Sequence, residues 1–309
     1  MADVIIRPDG SNRIVRVGSL EDSALSWTLT GCQAMNFVLQ SIVHPTDFSE
    51  LSARAFAHAL RIAIATKSAL HALHVEPQEP GEAGTFPQVR RMLTQWGFIG
   101  EHETAPEIAA KLGFLVSNIR IDGPNPAQAI LDYLDQRATD LLVLGTHGRD
   151  GLERLLVGSV AETVSRRSSI PTLFVGSSAR TFVSEVSGDM TLRRVLIPVD
   201  YSPAPARAVE AVRRFAHILT GTDTSIFLLH IGTSAPVIFT ASRELEFPQP
   251  VILRSGPVVR SILDAADEFE VDLIGMPTAG HHGVLDALRG STTERVLRHA
   301  PCPVLAVPA

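Results

Sequence analysis

The chain has 309 residues, 45% of them hydrophobic and 19% charged. That length suits about two ordinary domains, and the composition supplies two packed cores and lies far from those that stay disordered. A net charge of -6 gives no electrostatic support to a nucleic-acid or acidic-membrane partner, and no apolar run nears the roughly 20 residues of a membrane-spanning helix. The first residues carry Asp3, Arg7 and Asp9 instead of a signal-peptide core, and Cys32 and Cys302 make neither a disulfide framework nor a cysteine zinc site. A cytoplasmic protein without a redox role is expected.

In chain order, residues 4–17, VIIRPDGSNRIVRV, read as a hairpin about Asp9-Gly10. Short β-rich runs then alternate with helical stretches. The runs are FVLQSIVHP (37–45), ALHALHV (69–75), FLVSNIRI (114–121), DLLVLG (140–145) and PTLFV (171–175). The helical stretches cover 49–67, 88–112 and 127–136, and a further helix opens at Ser159. Such alternation predicts a parallel sheet with helices on its faces and right-handed crossovers. On the first helix Leu51, Ala55, Ala59 and Ile62 recur at core-facing spacing. Residues 176–190 are small and polar, as a linker should be.

A second copy restarts at RRVLIPVDYS (193–202), where Asp200 answers Asp47, and continues through LLHIG (228–232), where His230 and Ile231 answer His74 and Val75. Ser202-Pro203 signals a helix start, and Val209, Val212, Ala216 and Leu219 repeat the core spacing. Asp140–Val175 set without gaps on Asp272–Val307 gives 14 identities in 36 positions, which marks an internal duplication. The offset between copies falls from 153 at the first strand to 132 after the fourth, so the second copy is 21 residues shorter, between Ile231 and Val251. The second domain is therefore expected to lack most of one covering helix. The expected division is an extension over 1–38, a first domain over 39–177, a linker over 178–190 and a second domain over 191–309.

The segment GTHGRDGLERLLVGS (145–159) carries the chemistry. Gly145, Gly148 and Gly151 follow a strand at three-residue steps, where the backbone can take positive φ or approach a ligand closely. Gly158 and Ser159 open a helix, whose unpaired N–H groups and partial positive charge suit an anion. In open α/β sheets ligands bind beyond the carboxyl ends of the strands, where Asp47, Val75 and Gly145 are expected to cluster. Ser159 with Glu162, and Ser291 with Glu294, are also spaced as capping boxes, so each serine is equally explained without a ligand. The absence of GxGxxG and GxxxxGK motifs disfavours dinucleotide and P-loop enzymes. Adjacent His281 and His282 do not make a metal site. Arg166, Arg167, Arg298 and His299 complement helix dipoles. His147 and Asp47 lack a third hydrolytic partner, so no residue is assigned a catalytic or metal-binding role.

Gly145, Gly148, Gly158 and Ser159 complete the pattern glycine, two residues, glycine, nine residues, glycine, serine or threonine, and the first turn reads PTDFS. On these motifs the chain resembles a tandem universal stress protein of the ATP-binding branch, over roughly 40–177 and 191–309. The resemblance implies two tandem doubly wound α/β domains, adenine nucleotide alpha hydrolase-like, each a parallel sheet of about five strands in the order 3-2-1-4-5. In such proteins the last strands pair across a dimer; here Thr172–Val175 and Val304–Val307 are predicted to lie adjacent and antiparallel within one chain, satisfying both edges. It further implies ATP or another adenine nucleotide as cofactor, with Mg2+ accompanying the phosphates. Pro45, Thr46, Asp47 and Val75 would lie towards the nucleoside. Gly145, Thr146, His147, Gly148, Gly158, Ser159 and Val160 would hold ribose and phosphates.

In the second copy Asp200, Ile231, Gly280, Gly290 and Ser291 match, but Pro277 replaces the first glycine and Ala279 replaces His147. Proline fixes φ and removes an amide donor, so one binding domain and one mainly structural domain are expected. The implied function is a stress-response regulator or sensor with at most slow ATP hydrolysis. The alternatives are a nucleotide-free dimerisation or adaptor module and a true ATP-hydrolysing enzyme. Expected partners are the nucleotide, no nucleic acid and no membrane, with an intramolecular pseudo-dimer and a homodimer as the further assembly.

Overall fold

The computed structural model describes residues 2–6, 12–15, 39–76, 85–146, 159–177, 180–202, 205–221, 223–234, 236, 251–278 and 292–308. The chain begins with β1 (Ala2–Ile6) and β2 (Asn12–Val15), then runs β3 (Ser41–Pro45), α1 (Glu50–Thr66), β4 (Ala69–Glu76), α2 (Val89–Gln95), α3 (Ala105–Leu112), β5 (Val116–Asp122), α4 (Pro126–Asp135), β6 (Leu141–Thr146), α5 (Ser159–Arg167) and β7 (Thr172–Gly176). The second half repeats the order with β8 (Arg194–Pro198), α6 (Ala206–Thr220), β9 (Ser225–Ile231), β10 (Ile252–Arg254), α7 (Val258–Glu268), β11 (Leu273–Thr278), α8 (Thr292–His299) and β12 (Val304–Pro308).

Among the described residues these strands form one 12-stranded sheet, ordered β10-β9-β8-β11-β12-β7-β6-β3-β4-β5-β1-β2. Within each half the five strands are parallel and follow the order 3-2-1-4-5. The halves meet where β7 and β12 pair antiparallel, Leu173 opposite Leu305 and Phe174 opposite Val304. This is the union expected of the two last strands, and it removes a pair of sheet edges that would otherwise expose unpaired N–H and C=O groups. At the far edge β1 lies parallel to β5 and antiparallel to β2; the Asp9-Gly10 turn is outside the described residues.

Apolar packing crosses the junction on both faces. On one, buried residues of α1 (Phe56, Leu60, Ile62) and α6 (Val209, Val212, Phe215) share a single cluster with Leu173, Val175, Leu305 and Val307. On the other, Leu144, Ala161 and Phe174 meet Leu297 and Ala306. The segment between the halves is fastened to both. Phe182 and Val183 are fully buried, Arg180 N donates to Pro301 O at 2.7 Å, and Arg61 Nε donates to Gly188 O at 2.9 Å.

Two sequence expectations change, and the shortened second copy is as expected. The helical region over 88–112 is two short helices: Gly97 takes φ 74° just past α2, and Thr104 with Glu107 forms a capping box for α3, with Glu107 Oε2 accepting from Thr104 N at 2.6 Å. The second-half helix starts at Ala206 with Pro205 as N-cap, not at Ser202-Pro203. The described residues between β9 and β10 contain no helix, where the first half has α2 and α3.

Candidate functional site at the strand ends

The local order starts with α1. Ser49 caps it by accepting from Ser52 N at 3.2 Å, and Lys67 ends it in the left-handed region. This pins the turn Pro45–Ser49 at the carboxyl end of β3. Asp47 is exposed, and its Oδ1 accepts from Ser49 N at 3.0 Å and Ser49 Oγ at 2.6 Å. Phe48 has φ 63°, an uncommon conformation for a bulky residue. Its N donates to Thr46 Oγ1 at 3.1 Å, and its ring lies 4.1 Å from that of His74, whose Nδ1 donates to Thr46 O at 2.7 Å. Nothing in the sequence marked Phe48 as the residue that takes the positive φ.

Beneath the turn lies a buried polar network. His44 donates from Nδ1 to Val143 O at 2.9 Å, its Nε2 is 3.3 Å from Ser52 Oγ, and that hydroxyl is 2.8 Å from Thr46 Oγ1. Burial holds the His44 pKa down at about 4, so the ring is neutral at pH 7.

The central strands pair only briefly. β3 and β6 are in register at Ile42–Leu141 and Val43–Leu142, and β8 and β11 at Val195–Leu273 and Leu196–Ile274. The ladders end there, at the point where strand order reverses, which is where open α/β sheets form a ligand crevice. Alternation along a strand tells which main-chain groups face it. Leu73 O accepts from Thr46 N on the β3 side, while Glu76 O accepts from Gly123 N on the β5 side. Val75 therefore directs its N–H and C=O towards the place β3 has left. Leu142 N donates to Pro171 O on the β7 side and Val143 O accepts from His44 Nδ1 on the β3 side, so Gly145 turns its main chain to the same gap. Asp47, Val75 and Gly145 thus come together, with Pro45 and Thr46 on the near wall and Thr146 buried at the end of β6.

Individual roles differ from the sequence expectation. The Val75 side chain is 7% exposed and packs with Ile119, Ala127 and Leu73, so only its main chain can serve a ligand. Gly145 lies inside the β6–β7 ladder opposite Val175, and a Cβ there would stand 3.0 Å from Leu51 Cγ and 3.2 Å from Leu51 O. Its glycine identity is explained by the close passage of α1, not by a positive φ. Ser159 is the first residue of α5 and Val160, part-buried, the second. Glu162 pairs with Arg166, and Glu294 with Arg298, at 3.1 Å each, which accounts for those arginines by an i, i+4 pair. His147, Gly148 and Gly158 of the first copy, and Gly280, Gly290 and Ser291 of the second, lie outside the described residues.

The second half shares the frame and changes the floor. Asp272 Oδ2 accepts from Arg193 N and Arg194 N at 2.8 Å, as Asp140 Oδ2 does from Gln40 N and Ser41 N. His230 donates to Val199 O at 2.9 Å, and ladder alternation directs the Ile231 main chain like that of Val75. At the repeat offset, however, His44, Thr46 and Ser52 become Ile197, Val199 and Pro205. Asp200 Oδ1 accepts from Tyr201 N at 2.8 Å instead of holding a helix cap, and the Tyr201 hydroxyl reaches Ser234 O and Oγ at 3.1 and 3.0 Å. Pro277 costs no ladder bond because pairing with β8 ends at Ile274, but it brings no N–H to the crevice.

Residues 39–176 and 233–308 match the sequence profile of the Universal stress protein family. The chain belongs to the universal stress protein family. It is 31% identical over 140 residues to Universal stress protein MJ0531 of Methanocaldococcus jannaschii, across 44% of this chain and 81% of that one. Universal stress protein YxiE of Bacillus subtilis is 29% identical over 146 residues, across 42% of this chain and 93% of its own. The crystal structure of a universal stress protein from Archaeoglobus fulgidus aligns with a TM-score of 0.59 over 87% of this chain and 98% of that one, at 19% identity. That likeness is one of fold and spans both halves of the sheet. No described helix of this universal stress protein is long and apolar enough to cross a membrane, and no cluster of metal-ligating side chains occurs among the described residues.

Proposed function

We infer that the first half binds an adenine nucleotide, ATP foremost, in the crevice where β3 and β6 part, and that the chain acts in the cytoplasm as a nucleotide-dependent stress-response regulator. The observation that carries this is the pair of main-chain edges at Val75 and Gly145, turned to a gap that β3 has vacated beside the fixed Asp47. A purine edge needs one donor and one acceptor in fixed register, which one strand residue supplies through its own N–H and C=O. Asp47 and Val75 would serve the nucleoside. Gly145 and Thr146, with His147, Gly148, Gly158, Ser159 and Val160, would hold ribose and phosphates, Mg2+ accompanying the latter.

Hydrolysis is at most slow on this reading. His44 is fully buried with Nε2 3.3 Å from Ser52 Oγ, the His74 ring lies 4.1 Å from that of Phe48, and Asp47 is exposed and accepts from Ser49. None of these is arranged as a general base. The contact of Gly145 with Leu51 favours the alternative of a nucleotide-free adaptor, since packing alone accounts for that glycine. The two readings part on one measurement. Protein purified natively and then denatured is expected to release an adenine nucleotide at one per chain, because the second crevice has an apolar floor and Pro277. Asp47→Ala and Gly158→Val are each expected to lower ATP affinity by at least about tenfold in calorimetry. Release of no nucleotide from the unmodified chain would establish the adaptor reading, full retention in both variants would remove Asp47 and Gly158 from the site, and two nucleotides per chain would refute the asymmetry.

A further inference from the structure

A cavity of about 790 Å³ lies between α2 and β5, walled by Phe86, Arg90, Arg91, Thr94, Asn118 and Arg120, with Glu101 the one carboxylate in its lining. None of the residues placed at the strand-end crevice lines it. Its size falls within the range that holds small organic ligands. Asn118 is the unusual member. It stands on β5 between Ala72 of β4 and Asp3 of β1. It is 8% exposed, and its Oδ1 has no hydrogen-bond partner. Buried side-chain polar atoms are mostly paired, because an unmade bond leaves the desolvation cost uncompensated. A leucine would fill that position without the cost.

The remaining walls are aromatic and cationic. Arg120 pairs with Glu76 and lies 5.0 Å from the Phe86 ring centre, which fixes that ring at the wall. Arg90 donates to Glu103 O, and Arg91 is exposed on α2 with no ion pair among the described residues. We propose that this cavity is a second ligand site, distinct from the nucleotide crevice, for a small planar carboxylate that carries a hydrogen-bond donor at the end remote from its charge. The ring lies against Phe86, a half-turn about χ2 of Asn118 brings its unpartnered Oδ1 to the donor, and the carboxylate meets Arg91.

The test is calorimetry on the full chain with 4-aminobenzoate, benzoate and aniline, probes that carry both groups, the anion alone and the donor alone. 4-Aminobenzoate is expected to bind one per chain, with benzoate and aniline each weaker by about tenfold. Asn118→Leu should abolish the preference for 4-aminobenzoate over benzoate, Arg91→Gln its preference over aniline, and Thr94→Phe should fill the cavity and remove binding altogether. Saturating ATP should leave the titration unchanged, whatever the fate of the nucleotide reading. The proposal is overturned if 4-aminobenzoate gives no heat up to about 10 mM, if ATP displaces it, or if binding survives in both Arg91→Gln and Thr94→Phe, two helix-surface changes that spare the core.

Discussion

Acidification from pH 7 to pH 4 is expected to remove on the order of 3 kcal/mol of stability for each of two buried histidines, His44 and His58. Both are fully buried, and burial depresses each pKa from 6.5 to about 4. His58 donates from Nδ1 to Arg54 O at 3.0 Å and turns its ring against Phe182, with Nε2 unpartnered; a second proton there would find no acceptor. An imidazole whose folded value is depressed contributes stability that is whole above the unfolded value near 6.5. That contribution is lost as pH falls towards 4, because the unfolded chain takes up the proton first. Below 4 both states are protonated and the loss stops. Urea melts across pH 7 to 4 should therefore show close to two protons bound on unfolding near pH 5, beyond what carboxylates add. His44→Ile, which installs the residue found at the matching position of the second half, should lower that number by one. A midpoint that stays level from pH 7 to 4.5 would refute the neutral, buried assignment of both rings.

Most of the fold was legible because its signals are local. Alternating β runs, core-facing spacing on α1 and α6, and an ungapped repeat gave two parallel α/β halves, while the strand order and the union through β7 and β12 followed from the family resemblance. The split of α2 from α3 is legible too, in Gly97 as a stop and in Thr104, Pro106 and Glu107 as a start, although the helical content of 88–112 alone reads as one region. What could not be read locally is contact between distant segments. The reason for Gly145 is Leu51, nearly a hundred residues earlier, and glycine signals freedom without saying what uses it. The polar floor of the first crevice was hidden because His44 occupies a strand that otherwise reads as core. A residue-by-residue comparison of the two copies, His44 with Ile197 and Thr46 with Val199, would have exposed it. Topology alone puts Asp47, Val75 and Gly145 at or beyond the carboxyl ends of their strands. The buried Asn118 carried no motif and became visible only through its missing partner.

The connecting segment offers the sharpest steric test. Gly188→Ala is expected to destabilise the chain by about 3 kcal/mol, a fall in Tm of roughly 5–10 °C. Gly188 has φ 69°, and a Cβ there would lie 2.5 Å from Trp96 Cδ2 and 2.7 Å from Cγ and Cε3. The indole is not free to retreat: it is 8% exposed, and its Nε1 donates to Glu185 O at 3.0 Å. Moving the segment instead would strain the bonds from Arg61 Nε to Gly188 O and from Gly188 N to Ser184 O, both 2.9 Å. Two costs add here, the left-handed φ at about 1 kcal/mol and the overpacking against Trp96. Gly113 separates them. It ends α3 in the left-handed region, φ 68° and ψ 24°, and an added Cβ there would meet only the flexible Lys67 side chain, 3.3 Å from Cδ, so Gly113→Ala should cost only the conformational part. Equal losses in the two variants would mean that the ring does not press on Gly188, and with it would go the view that Trp96 locks the connecting segment onto the first half. A larger loss for Gly188→Ala, recovered in part by Trp96→Phe, would locate the strain at that contact.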